Sequence, residues 1–208
     1  MKRILKQPEP QELIDFVSAE NDNWKPSYGN LDGKTKRATK QALMAEQGYL
    51  CCYCERRVTD DDSHIEHLIP QSVPAAGSLD YSNMLCSCQN VLRKEEPRHC
   101  GHLKDNAELA ISPLDASCET RFSFTGDGHI HAADVNDALA IETIQTLGLD
   151  IRKLNGLRAG AIAPFLESDL TENEFRLFVT GYLQQDAQGA YGEFWTTIQY
   201  LFEGYAIS

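Results

Sequence analysis

The spacing of apolar residues predicts helices at both ends of the chain. Near the beginning, apolar positions recur at helical spacing in residues 10–20, and residues 34–47 form a second predicted helix that Gly48 closes. Beyond residue 133 the pattern is helical, and Thr171 and Glu174 form a capping box that opens one of these helices.

The middle of the chain instead predicts short strands. Residues 64–69 form a predicted strand that Pro70 stops, and residues 83–86 are a candidate partner strand. Residues 99–109 are expected to form a helix, and residues 121–131 a hairpin. This mixture of helices and separate short strands predicts an α+β fold.

Charge is distributed unevenly along the chain. The 31 acidic and 19 basic residues give a net charge of −12, of which −10 falls in residues 107–208 and +1 in residues 1–50. Because an acidic surface repels a phosphate backbone, we expect another subunit to supply much of any affinity for nucleic acid. The densest basic run, in residues 34–40, is either a solvated helix face or a patch that contacts phosphates.

The sequence contains neither a signal-peptide pattern nor an apolar stretch long enough to span a bilayer. We therefore expect a cytoplasmic protein that has no membrane partner.

Six of the seven cysteines and four of the six histidines lie in one stretch in the middle of the chain. Such clustering, with an odd number of cysteines, indicates metal ligation rather than a set of disulfides. Cys51-x2-Cys54 has the spacing of a zinc knuckle, and Cys86, Cys88 and Cys100 can complete the site. Since Cys86 and Cys88 are too close in sequence to form a normal second knuckle, we expect structural Zn²⁺ on Cys51, Cys54, Cys88 and Cys100. Spacing alone leaves Cys86 open as an alternative to Cys88.

The histidines and acids of this stretch do not fit the patterns of a C2H2 finger, a nucleobase deaminase or a zinc protease. What remains is Glu66-His67-x-x-Pro70, followed by Asn83 and by a predicted helix that carries Cys100 and His102. This arrangement resembles the HNH endonuclease family.

A closer resemblance is to the HNH subunits of retron-associated and Septu-type anti-phage defence systems. It rests chiefly on the segments Cys51-x-Tyr53-Cys54-Glu55, His64-Ile65-Glu66-His67 and His99-Cys100-Gly101-His102-x-Lys104. The family resemblance implies a zinc-braced, treble-clef-like ββα-metal core with N-terminal helices and a helical C-terminal annex. We expect a helical segment in residues 1–48, the nuclease core in 49–110, and in 111–208 a hairpin with a helical annex that docks a partner.

The resemblance also implies roles for the histidines and for one acid. His67 would be the general base that takes a proton from the attacking water, a task that suits a neutral imidazole near pH 7. Glu66 and His102 would hold a catalytic Mg²⁺ or Mn²⁺ ion, with His99 as the alternative to His102.

Two further residues complete the expected site. Asn83 would orient the base or brace the loop, and Lys104 would hold a phosphate oxygen. The implied function is hydrolysis of nucleic acid, DNA rather than RNA, by the effector subunit of a defence complex. The implied partners are an ATPase subunit and, in retron systems, a reverse transcriptase with its DNA–RNA hybrid. A non-catalytic zinc-binding adaptor and a stand-alone restriction-type HNH nuclease are the alternatives, and the latter would need a basic surface.

Overall fold

The structure, a computed structural model, describes residues 1–72, 77–92, 94–166 and 169–206. Helices and short strands occur in separate segments, so the predicted α+β class is confirmed. Within these residues, the α-helices, α1 to α7, are Gln11–Ser18, Gly33–Glu46, Gly101–Lys104, Ala138–Leu147, Arg152–Leu166, Glu172–Leu183 and Trp195–Phe202. The strands, β1 to β4, are Ser63–His67, Met84–Cys88, Phe122–Phe124 and Ile130–Ala132.

Local end signals place several helices where the sequence predicts them. The Asp32 side chain accepts hydrogen bonds from the first backbone N–H groups of α2. Gly48, with a φ of 61°, lies just beyond the end of α2. The capping box of Thr171 and Glu174 opens α6 as predicted. Because these signals depend only on residues that are neighbours in sequence, the folded chain has the helix ends that they predict.

The strands β1 and β2 form an antiparallel pair in the centre of the molecule. Ser63 lies opposite Cys88, and His67 lies opposite Met84. Every residue of β2 is buried. The strand β1 ends at His67 and not at the predicted Ile69, because the backbone of Ile69 is bound by a side chain instead of by a paired strand.

The helix α3 is much shorter than the predicted helix over 99–109, and that prediction is wrong. Asp105 follows α3 with a φ of 48° and a ψ of −116°, which cannot continue a helix. At the other end, Cys100 has a φ of 55° and a ψ of −137°. The short helix therefore lies between two residues with unusual backbone angles.

One hydrophobic core joins the first three quarters of the chain. Leu13, Met84 and Leu147 all belong to it, although they come from the three different segments that the sequence predicts. That division into segments stays a prediction. A second cluster lies among the C-terminal helices around Phe165, whose ring stacks on Phe202 at 5.0 Å.

The beginning of α7 packs against the cysteine-rich turn. The backbone N–H of Thr196 donates to the buried carboxylate of Glu55 at 2.7 Å, and the N–H of Phe194 donates to the Glu55 carbonyl at 2.9 Å. These contacts fix the turn that carries Cys54 from the side of the C-terminal helices.

Candidate metal centre and active site

The first half of the candidate zinc site is a tight turn between α2 and β1. Tyr49 and Glu55 both have positive φ angles, and the backbone of Leu50 pairs with that of Arg57 across the turn. The turn holds Cys51 and Cys54 together, as the knuckle spacing predicts.

The two halves of the predicted zinc site meet in the structure. The sulfur atoms of Cys51, Cys54, Cys88 and Cys100 are buried and all lie within 4.8 Å of one another. The Sγ atoms of Cys54 and Cys88 are 3.7 Å apart. A tetrahedral zinc with Zn–S bonds of about 2.3 Å requires sulfurs about 3.8 Å apart, so this donor set fits the ion. Cys86 lies outside the group, and Cys88 belongs to it.

The electrostatics of this cluster favour a bound cation. Burial opposes ionisation of Cys51, but hydrogen bonds from the neighbouring thiols, that of Cys100 foremost, hold its pKa well below the ordinary value. Burial and the interaction with Cys51 raise the pKa of Cys100 well above its ordinary value. Ionisation of Cys100 next to the Cys51 thiolate therefore requires positive charge among the sulfurs.

His99 lies beside the sulfur cluster. Its Nδ1 atom is 3.1 Å from the Sγ of Cys100 and 3.8 Å from the Sγ of Cys88, and its side chain is buried. The structure thus places the two histidines proposed for the catalytic ion at different sites: His99 at the cysteines and His102 beyond them.

A second polar cluster surrounds Glu66 on the other side of α3. One carboxylate oxygen lies 3.0 Å from Lys104 Nζ and accepts a hydrogen bond from the Tyr53 hydroxyl at 3.1 Å. The other oxygen lies 3.5 Å from Nε2 of His64. Burial opposes ionisation, but the hydrogen bond from His64 and the charge of Lys104 lower the pKa of Glu66 below its ordinary value. The acid is therefore a carboxylate at neutral pH.

His64 and His102 lie together next to this carboxylate. Their ring centroids are 4.9 Å apart. Nδ1 of His64 and Nε2 of His102 are buried and have no hydrogen-bond partner among the residues that the structure describes. Burial, and the proximity of His64, lower the pKa of His102, which favours a neutral imidazole. Buried ring nitrogens without partners beside a carboxylate fit a divalent metal ion.

His67 contacts a different set of neighbours. Its Nε2 is 3.0 Å from the carbonyl oxygen of Ser78, and its Nδ1 is 3.0 Å from Nε2 of Gln71. Because a carbonyl can only accept, Nε2 carries the proton and Nδ1 holds the free lone pair. Burial lowers the pKa of His67, which favours the neutral imidazole at pH 7. Its side chain shares no hydrogen-bond partner with Glu66, as strand alternation requires.

Asn83 braces the turn that follows β1. Its side-chain oxygen accepts from the N–H of Ile69 at 2.7 Å, and its side-chain nitrogen donates to the carbonyl of Ile69 at 3.0 Å. The oxygen and the nitrogen of the side-chain amide are therefore both bound at this turn. These contacts correspond to bracing of the loop, the second of the two roles expected of Asn83.

Lys104 contacts groups of the protein itself, whereas the sequence suggests that it holds a phosphate. The residue is 2% exposed, and its ammonium group lies between the Glu66 carboxylate and the backbone oxygen of His67, 3.0 Å from each. A buried ammonium in this position stabilises the carboxylate and has no path to a phosphate in solvent.

His64 and Gly101 also contribute to this cluster, although the sequence left His64 open between a partner of the site and a surface histidine and indicated no role for Gly101. His64 stands two residues before Glu66 in the same strand, so alternation alone would have placed both side chains on one face. A Cβ at Gly101 would lie 2.5 Å from a carboxylate oxygen of Glu66 and 2.8 Å from Nε2 of His64. The absence of a side chain there leaves the room that the cluster occupies.

Two known proteins are similar to this chain, and no family model matches it. The first, named "Retron Vc95 putative HNH endonuclease", from Vibrio cholerae serotype O1 biovar El Tor, is 33% identical over 123 residues, which cover 58% of each chain. The second, named "Retron Ec83 putative HNH endonuclease", from Escherichia coli, is 35% identical over 97 residues, which cover 42% of this chain and 37% of the relative. The chain thus aligns with little more than half of the first relative and less of the second. Similarity to HNH endonucleases of retrons agrees with the motif-based prediction.

In the ranges that the structure describes, none of the helices has both the length and the apolar character needed to cross a bilayer.

Proposed function

We propose that the chain is a metal-dependent HNH endonuclease that hydrolyses phosphodiester bonds. The observation that carries the proposal is the cluster of Glu66, His64 and His102. Nε2 of His64 lies 3.5 Å from the Glu66 carboxylate and the two imidazole rings are 4.9 Å apart, while Nδ1 of His64 and Nε2 of His102 are buried without a partner among the described residues. The names of both relatives support the same reaction class.

In this proposal the four cysteines hold a structural Zn²⁺ that fixes α3 against the β1–β2 pair, as in a treble-clef ββα core. Glu66 and His102 hold the catalytic divalent ion, and His64 joins them. When bound there, the ion would stabilise the negative charge that develops on the leaving 3′ oxygen. Since imidazole is not a ligand that Mg²⁺ prefers, we expect Mn²⁺ to support more activity than Mg²⁺.

His67 is the proposed general base. Its Nδ1 lone pair accepts the proton of the attacking water, for which the side chain of Gln71 must give way to the water molecule. Asn83 keeps the end of β1 in place, and Lys104 keeps Glu66 ionised and oriented. Loss of a general base typically slows a reaction by about 100- to 10,000-fold.

We further propose that the chain acts in the cytoplasm as the effector of an anti-phage defence complex, on DNA in preference to RNA. An ATPase subunit, and a retron reverse transcriptase with its DNA–RNA hybrid, are the proposed partners. The surplus of ten negative charges in residues 107–208 supports docking of this part of the chain to a protein.

A zinc-binding adaptor without activity is the second candidate. Three contacts favour it: Lys104 already neutralises Glu66, and each of the two ring nitrogens of His67 already has a partner.

The test compares cleavage of supercoiled plasmid DNA and of RNA by the chain, alone and with its co-expressed partner subunits, in Mg²⁺ and in Mn²⁺. Glu66→Gln and His67→Ala should abolish cutting, while His131→Ala, which removes an exposed histidine of β4, should leave it unchanged. Elemental analysis should find about one zinc per chain in all three variants. Zinc binding without cleavage of either substrate under any of these conditions would favour the adaptor.

A further inference from the structure

A groove of about 320 Å³ runs between α2 and β1 and leads to the candidate active site. The helix contributes Gly33, Lys36, Arg37 and Lys40, which follow one another at the spacing of a single helix face. His64 of β1 lines the opposite side. Three of the four cations in the densest basic run of the sequence therefore face one concave surface, and Lys34 does not line it.

The cations of this groove differ in how they are neutralised. Lys40 forms an ion pair with Asp60 at 2.7 Å and also contacts the carbonyl oxygen of Ser63. Lys36 and Arg37 are exposed, and neither has a carboxylate within ion-pair distance in the described part of the chain. Two positive charges without a direct ion pair among the described residues thus share one groove with the carboxylate of Asp60, on a chain whose net charge is −12.

Two residues that line the groove contact side chains of the proposed mechanism. His64 lines it directly and lies against Glu66 and His102. Tyr28 also lines it, and the Tyr28 ring contacts the ring of His67 edge-on at 4.7 Å. A chain of phosphates that follows the groove would therefore pass His64, which contacts the carboxylate cluster, and Tyr28, which contacts the proposed base.

We propose that this groove binds the sugar–phosphate backbone of a nucleic acid strand, with Lys36 and Arg37 as the phosphate contacts. The proposal rests on the proposed nuclease function and specifies how the substrate is held. Phosphate is the ligand that these side chains favour, because an arginine fork and an ammonium group both donate to its oxygens. DNA and RNA offer the same backbone chemistry, so the experiment compares them.

The experiment measures binding of labelled DNA and RNA of equal length to the full zinc-loaded chain, by fluorescence anisotropy. No divalent ion is added, so that cleavage does not contribute. The test variant is Lys36→Gln/Arg37→Gln, and the matched control is Lys34→Gln/Arg152→Gln, which removes two exposed cations that do not line the groove. Both variants have the same net charge.

The groove variant should bind at least about ten-fold more weakly at about 50 mM salt, and its log–log salt slope for duplex DNA should fall by about 1.8, because each lost phosphate contact contributes about 0.9. The control should keep a slope close to that of the unmodified chain. Equal slopes for the two variants, or no binding of any nucleic acid by the unmodified chain at this salt concentration, would overturn the proposal.

Binding and cleavage separate this proposal from the proposed function. A chain that binds through the groove but cuts nothing would support the groove and contradict the nuclease. A groove variant that cuts with unchanged KM would contradict the groove and leave the nuclease intact. If the groove variant loses affinity for a protein subunit and not for nucleic acid, an acidic protein segment is the occupant and the proposal fails.

Discussion

Replacement of Gly101 by alanine tests whether the Glu66 cluster is packed as the structure shows. Gly101 is the first residue of α3, and its backbone is outside the left-handed region, so alanine is allowed by conformation. Its new Cβ would nevertheless lie 2.5 Å from a Glu66 carboxylate oxygen and 2.8 Å from Nε2 of His64. Ordinary contacts begin about 1 Å further out, so the carboxylate or the ring has to move.

The carboxylate cannot move freely, because its other oxygen is held by Lys104 at 3.0 Å and by Tyr53 at 3.1 Å. Overpacking of a buried site typically costs about 1–3 kcal/mol. The matched control is Gly156→Ala in α5, where an added Cβ meets nothing within 4 Å. There the better helix propensity of alanine should stabilise the protein by about 0.5–1 kcal/mol. The two variants should therefore differ by about 1.5–4 kcal/mol in the free energy of unfolding.

Urea unfolding of the zinc-loaded variants measures this difference, and plasmid cleavage measures its effect on the site. We expect Gly101→Ala to be the less stable variant and to cut more slowly than the unmodified chain, with its zinc retained. Equal stability of the two alanine variants, together with unimpaired cleavage by Gly101→Ala, would refute the close approach of α3 to the carboxylate.

Three further variants or conditions test other parts of the site. Asn83→Ala removes both hydrogen bonds to the turn after β1 and should lower the free energy of unfolding by about 1–3 kcal/mol. The control, Asn90→Ala at an exposed position, should change this free energy by less than about 0.5 kcal/mol. Equal losses of stability for the two variants in urea unfolding would contradict the bracing role of Asn83. Because burial lowers the pKa of His67, the cleavage rate should fall only when the pH is lowered below 6.5. A pH–rate profile in which the rate is already half lost above pH 6.5 would exclude His67 as the base. In elemental analysis, the Cys88→Ser variant should contain no zinc and the Cys86→Ser variant should retain it. The reverse result would make Cys86, and not Cys88, the zinc ligand from β2.

Features that depend on adjacent residues could be predicted from the sequence, and features that depend on the packing of distant segments could not. The bounds of α2 follow from Asp32 and Gly48, and the beginning of α6 follows from its capping box. The length of α3 was mispredicted, since the prediction did not use Asp105 and Asn106, two turn-forming residues that tolerate a positive φ, as the end of the helix.

The zinc cysteines show where spacing arguments reach their limit. Cys86 and Cys88 lie two positions apart in β2, and therefore on the same face, roughly 6.6 Å from each other along the strand. That distance explains why only one of them joins the sulfur cluster, but not which one. The choice is made by the knuckle, because the N–H of Cys52 pairs with the carbonyl of Cys86 and thereby sets Cys51 and Cys54 level with Cys88.

The end of β1 explains how residues on opposite faces of a strand can serve one reaction. The side chains of Glu66 and His67 have separate hydrogen-bond partners, so in the proposed function a substrate would reach both only where the strand stops and its two faces meet. Lys104 binds at this point, with its ammonium group 3.0 Å both from the Glu66 carboxylate and from the backbone oxygen of His67. Asn83 fixes the turn immediately beyond. Both residues thus fix the end of the strand: Lys104 contacts the Glu66 carboxylate and the backbone of His67, and Asn83 holds the turn that follows.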